Sequence, residues 1–452
     1  MSDQQKLTEL ATESVGRLLW RYSLPAVVGM VVMSLYNIID SIFIGQGCGP
    51  DAIAGLAITF PVMNISAALG VLVGAGGSAR ISILLGAGNH RAATHTLGNS
   101  LTLTIILAVS YLTLFWIFLD EILYAFGADE DTIPYARDFM LYILPGLLMT
   151  NLSFSFNNLM RASGYPVRAM VTNFIGAGSN LVLAPIFIFW LDMGIKGAAI
   201  ATDIAMTITM VFVMAHFFRR ESTIHFERGT YALRWRIVWG IVSIGAAPSI
   251  VNFCACFINV LINNSLHEFG GNAAIGAVGV FSRYTSLLTM VIIGITQGLQ
   301  PIIGYNYGAG QLDRLKRSYW LAVGAATILC CVGAAFGISC PALIGRAFTT
   351  DPEMIHATVK SLTIALLAFW FVGFQIVSTT FFQSIGQAGK SIFLSLTRQV
   401  LFFIPLVLIL PRHWGLEGVW ASFPASDLAA TIVTAAMMVW QLRKLDRAVL
   451  AR

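Results

Sequence analysis

Runs of about twenty apolar residues recur along this chain, separated by short polar, glycine-rich or charged breaks; Leu101 to Leu119, Ile175 to Leu191 and Phe393 to Leu410 are examples. A bilayer core about 30 Å thick needs roughly 20 helical residues per crossing, so each run predicts a spanning helix. Twelve are predicted, over 18–45, 53–76, 94–118, 134–160, 166–190, 196–218, 236–264, 273–300, 316–337, 356–384, 391–411 and 418–443. The breaks sort by charge. Those after even-numbered helices, with the termini, hold most of the bases, among them Arg91, Arg168, Arg219, Arg220, Arg314, Lys316 and Arg443; those after odd-numbered helices hold Asp129, Glu130, Asp192, Asp351 and Glu417. Lys and Arg mark the cytoplasmic side of a membrane, which predicts both termini inside.

Composition supports the same class. Hydrophobic residues make up 57% of the 452 positions and charged residues 11%, against about 25% charged in a soluble domain. The net charge of +5 is spread over membrane loops and predicts no nucleic-acid partner. The six cysteines form no CxxC pair and lie mostly in apolar runs, where they read as small packing residues. The polar start, Met1 to Glu13, argues against a cleaved leader, so the first apolar run is expected to remain as a helix.

The chain repeats itself at about 221 to 223 residues. Pro25 corresponds to Pro248, Leu85-Gly-Ala-Gly88 to Tyr307-Gly-Ala-Gly310, Met160-Arg-Ala-Ser-Gly164 to Phe382-Gln-Ser-Ile-Gly386, and Gly194-Ile-Lys-Gly197 to Gly415-Leu-Glu-Gly418. Six helices per repeat leave both halves in one orientation, related by an axis along the membrane normal. The expected organisation is an N-terminal lobe over 1–218, a basic cytoplasmic linker over 219–236 and a C-terminal lobe over 237–452, with a substrate site between the lobes.

An ionised side chain in hydrocarbon costs several kcal/mol, so an acid in a spanning helix is a functional candidate. Three occur. Asp40 in helix 1 is the sharpest, with Tyr36 one turn before it and Asn37 read as sharing its face; a buried carboxylate there can exchange a proton or Na⁺, the alternative being a packing role with capping donors. Asp203 follows Thr202 in helix 6 and either joins the Asp40 site or faces water; Asp427, near Pro424, reads as structural. Embedded amides, Asn64, Asn157, Asn173, Asn180, Asn252, Asn259 and Asn263, suggest hydrated cavities in both halves, although interhelical bonding accounts for each singly. Arg283 and Arg398 pair with carboxylates or reach for an interface. Pro25 allows a bend in helix 1, either static or coupled to the charge on Asp40. There is no phosphate-binding loop, nucleophile elbow or metal-ligand cluster, so an ATP motor, an enzyme and a bound cofactor are not expected.

The segments Ser34-Leu-Tyr-Asn-Ile-Ile-Asp40-Ser-Ile-Phe-Ile-Gly45, Gly298-Leu-Gln-Pro-Ile-Ile-Gly-Tyr-Asn-Tyr-Gly308 and Ser395-Leu-Thr-Arg-Gln399 resemble the MATE (multidrug and toxic compound extrusion) family, most of all its DinF/MepA-like bacterial branch. The resemblance spans essentially the whole chain. It implies an all-α integral membrane protein, with twelve transmembrane helices in two pseudo-symmetric lobes forming a V. It also implies efflux of an organic cation or amphiphile across the cytoplasmic (inner) membrane, in exchange for H⁺ or Na⁺, by a monomer. Asp40, Asn180 and Thr202 match the family's coupling acid, amide and hydroxyl, which makes Na⁺ at Asp40 one reading, and Pro25 matches its bending proline. Where the family commonly has a second acid on helix 5 this chain has Ala184, and Asp203 is the candidate to replace it. A flippase for lipid-linked saccharide is the alternative of the same superfamily.

Overall fold

The computed structural model describes residues 9–48 and 50–450, side chains at 50–54, 256–257, 260, 263–264, 267–268, 272 and 448–450 excepted. Apolar helices follow one another along it: α1 Val15–Cys48, α2 Pro50–Gly86, α3 His90–Ile117, α4 Ile133–Ala162, α5 Pro166–Pro185 and α6 Gly194–Phe218. After the linker, a helical stretch from Trp235 to Gly308 is broken at Gly271, whose φ of 63° and ψ of −163° only glycine adopts freely. This defines α7 over 235–270 and α8, Ala273–Gly308. There follow α9 Leu312–Ser339, α10 in two arms (Pro352–Ala365 and Trp370–Ser384) bent by 58°, α11 Ala388–Trp414 and α12 Leu416–Leu450. With α10 taken as one broken span, the described residues hold the twelve expected crossings, in two lobes of six.

Two spans outrun their apolar runs. α2 was expected to end near 76 and α8 near 300, yet they continue to Gly86 and Gly308. A helix satisfies its own backbone hydrogen bonds, so it need not stop where hydrocarbon stops. Wide turns close or interrupt two others, at Ile186–Trp190 after Pro185 and at Thr397–Phe403 inside α11. The linker is tied to α3 through Asn99, whose Nδ2 donates to Thr230 O (3.0 Å) and whose Oδ1 accepts from the Arg234 N–H (2.8 Å).

The lobes meet where α1 and α2 pack on α7 and α8. Glycines let backbones touch there: a Cβ at Gly76 would overlap Ile241 O, and one at Gly245 would overlap Leu72 O; Gly86 lies on Tyr305 O and Gly308 on Ile83 O. Ser23 Oγ donates to Ile295 O (3.2 Å) and Gln300 Nε2 to Ala75 O (3.1 Å) across the same seam. All of these contacts lie in the halves of the helices nearer the basic connections. Toward the acidic side each lobe keeps to itself, with Gly47 against Ile188, Gly55 against Tyr135, Gly270 against Leu416 and Gly276 against Met354. The molecule is closed at its basic face and open at the other.

Candidate functional site

Helical phase divides α1 into two working faces. Ser23, Val27 and Met30 contact α8, and Asn37 and Ser41 lie on that same side higher up, both exposed to the cleft between the lobes. Gly29, Tyr36, Asp40 and Gly47 follow at spacings of seven, four and seven and turn into the N-terminal lobe, where Gly29 meets Asn173 and Gly47 meets Ile188. Tyr36 therefore shares the Asp40 face as expected, but Asn37 does not. It belongs to the cleft.

Behind α1 the expected coupling residues come together. Asn180, fully buried on α5, donates Nδ2–H to Thr202 Oγ1 at 2.9 Å, and the Thr202 hydroxyl donates to Ala198 O at 3.0 Å. The Tyr36 hydroxyl is turned to Thr202 as well. With its own hydrogen committed to the backbone, Thr202 meets these two partners only as an acceptor. Asp40 lies on the Tyr36 side of this group, and its Oδ1 is buried without a hydrogen-bond partner. A carboxylate, a phenol, an amide and a hydroxyl are the oxygen chemistry that takes up a proton or a hard monovalent cation.

Asp203 is not part of it. Adjacent helical residues point about 100° apart, so with Thr202 turned to α5 the Asp203 carboxylate turns to α4, where Oδ2 accepts from the Gly146 N–H at 3.1 Å and Oδ1 is buried unpartnered. Only glycine at 146 leaves room for it, since a Cβ there would overlap the carboxylate. Nor is there a gap for it to fill on α5. Ala184 is fully buried in an apolar cluster with Ile44 and Ile188.

The amides separate likewise. Asn173 shares the α1-facing side of α5 with Asn180, whereas Asn157 is not a cavity residue: its Nδ2 donates to Ala169 O (2.7 Å) and its Oδ1 accepts from Arg161 Nη2 (2.9 Å). Asn64 and Asn259 are exposed. Asn64 lies three turns above Ala75, and Asn259 five turns above Ile241, so both continue the seam faces into the cleft. The side chain of Asn263 lies outside the described residues. In the C-terminal lobe Asp427 is 3% exposed and Oδ1 accepts from Arg398 Nε at 2.8 Å, an ion pair joining α11 to α12.

Sequence reasoning missed Arg161. It is 4% exposed in the last turn of α4 and crosses to the other lobe, Nη1 donating to Gln297 Oε1 at 2.6 Å. A cation ending an apolar run reads as a loop residue, and the motif around it served only to mark the repeat.

The MatE family model matches residues 25–186 and 248–409, two segments that begin 223 positions apart. The chain belongs to the MatE family. Among its relatives, the multidrug export protein MepA of Staphylococcus haemolyticus is 27% identical over 448 residues, covering 98% of this chain and 97% of that protein. The FAD transporter of Shewanella oneidensis is 27% identical over 432 residues, with 93% of each covered. The solved structure of a multidrug resistance MATE family transporter in an outward-facing conformation superposes with a TM-score of 0.91 at 25% identity, covering 97% of this chain and 98% of that one. This MatE protein is thus a multi-pass membrane transporter of two lobes, held in the cytoplasmic membrane.

Proposed function

We propose that this MatE protein is a secondary-active exporter, which moves amphiphilic organic compounds out of the cell in exchange for H⁺ or Na⁺ taken up at Asp40. The observation that carries the reading is the separation of two compartments by α1. Exposed Asn37 and Asn64 face the cleft between the lobes, while the unpartnered Asp40 oxygen lies behind the helix with Tyr36, Thr202 and Asn180. Cargo and ion then never touch, and α1 is the element both bias.

An ion can shift such an equilibrium only through different affinities for the two conformations. Neutralising Asp40 relieves the cost of a bare carboxylate in the lobe interior, letting α1 settle against α5 and α6; releasing the ion to the cytoplasm restores that cost. Pro25 supplies the give, since proline leaves Arg21 O without its helical donor. The relatives named for multidrug export and for FAD transport support an organic cargo, and the former favours export over the flippase alternative. The described cleft faces carry no carboxylate to select a cation.

Proteoliposome transport with pH and Na⁺ gradients imposed separately tests this. One gradient should drive wild-type transport, and Asp40→Asn should abolish the dependence on it. Undiminished gradient-driven transport by Asp40→Asn would remove the proposal.

A further inference from the structure

Among the described side chains, few charges lie well inside the spans of this protein, and all but one of these have a place in the packed lobes or the seam. Asp40 and Asp203 face into the N-terminal lobe, Asp427 is bound to Arg398, and Arg161 sits in the closed seam on Gln297. Arg80, near the basic end of α2, packs on Gly240 of the other lobe. The remaining one is Arg283. It is exposed, and among the described residues it makes no ion pair.

Its direction follows from the phase of α8. Gly294, three turns below, packs on Val27, and Gln297, four turns below, meets Arg161 and Met30; Arg283 projects between those two directions. Tyr284 and Leu288 point the other way, to Gly333 of α9 inside the C-terminal lobe. The face that closes the lobes below is therefore the face that carries Arg283 into the open cleft above. Ser282 and Ser286 flank it, both exposed. At about 1.5 Å per residue, Arg283 is roughly 15 Å inside the start of α8 at Ala273 and roughly 21 Å above Gln297. That is deep in the cleft, not at its rim.

The facing wall differs. Phe60 holds the corresponding place on α2, 223 residues earlier, and is 51% exposed. Around these two the cleft presents the neutral amides Asn37, Asn64 and Asn259.

We propose that the cargo is an amphiphilic organic anion, its carboxylate, sulfonate or phosphate bound by Arg283 and its apolar ring system laid against the wall that holds Phe60. This deepens the exporter reading and rests on it. A guanidinium presents a planar fork of donors that grips such oxyanions with two parallel bonds, and the described cleft residues around it, being neutral, leave that selectivity unopposed.

Binding tests it without a gradient. Fluorescein and pyronin Y, xanthene dyes of similar size and opposite charge, are titrated into the purified full-length chain in detergent, for wild type, Arg283→Ala and Arg283→Lys. The expected result is a wild-type preference for fluorescein, with Arg283→Ala losing about tenfold in fluorescein affinity, Arg283→Lys recovering only part of it through its charge and pyronin Y binding undiminished by either change. Equal fluorescein affinity in wild type and Arg283→Ala overturns the proposal, as does wild-type preference for pyronin Y or no measurable fluorescein binding. Since Arg283 is exposed, unchanged melting temperatures are expected, and they separate lost recognition from lost fold. A gradient-insensitive role for Asp40 with fluorescein selectivity intact would defeat the coupling reading alone.

Discussion

The two lobes treat a buried acid in opposite ways. In the C-terminal lobe Asp427 is answered by Arg398 across α11 and α12, and Gln375 bonds the Asp427 carbonyl from α10 at 2.7 Å. In the N-terminal lobe Asp40 and Asp203 each keep a buried oxygen that no donor reaches. At the place that Arg398 occupies one repeat later, α5 has Gly176, packed on Thr209 of α6. Where a guanidinium is present the charge is neutralised permanently and the acid is structural. Where it is absent the charge is neutralised only by something that comes and goes. On the exporter reading proposed above, this asymmetry of two otherwise repeated lobes points ion coupling to the N-terminal one.

The comparison breaks first at the paired acid. Asp427→Leu takes the partner from a guanidinium that is only a third exposed, with an expected loss of about 3 kcal/mol, read as a large drop in thermal midpoint in detergent, and most of it should return in Asp427→Leu with Arg398→Met. Asp40→Asn should not lower that midpoint, because its Oδ1 has no bond to lose and the amide removes the cost of a bare carboxylate. Equal destabilisation of the two variants would erase the contrast.

A smaller effect is expected at the seam. Arg161→Ala removes the 2.6 Å bond from α4 to Gln297 and should weaken basic-face closure by about 2 kcal/mol. Spin labels on exposed Leu35 and Leu287, one in each lobe, should then show a second, shorter distance on the open side. The smallest is Asn180→Ala, which takes one bond from Thr202 and should cost about 1 kcal/mol in ion affinity, a several-fold shift in the gradient needed for half-maximal transport.

Much of this was legible along the chain. Twelve crossings follow from the spacing of apolar runs, and the repeat follows from paired motifs, because both are local patterns. Asp40 stands out as an embedded acid, and Asn180 and Thr202, which the family resemblance grouped with it, do lie together behind α1. What failed depends on rotation about a helix axis. Tyr36 and Asn37 are neighbours in sequence but serve different compartments, and Thr202 and Asp203 divide between α5 and α4 for the same reason. Asn157 was misjudged because its partner, Arg161, comes one turn later in a stretch that looked like a loop. The Arg398–Asp427 pair joins residues 29 apart on helices whose relative turn no local pattern sets.

Ion-induced infrared difference spectra of the purified protein test the central claim most directly, because they report which carboxyl group changes state. On switching pH or Na⁺, the carboxyl band should be present in wild type, retained in Asp427→Asn and lost in Asp40→Asn. A band that survives Asp40→Asn, or vanishes with Asp427→Asn, would contradict the account.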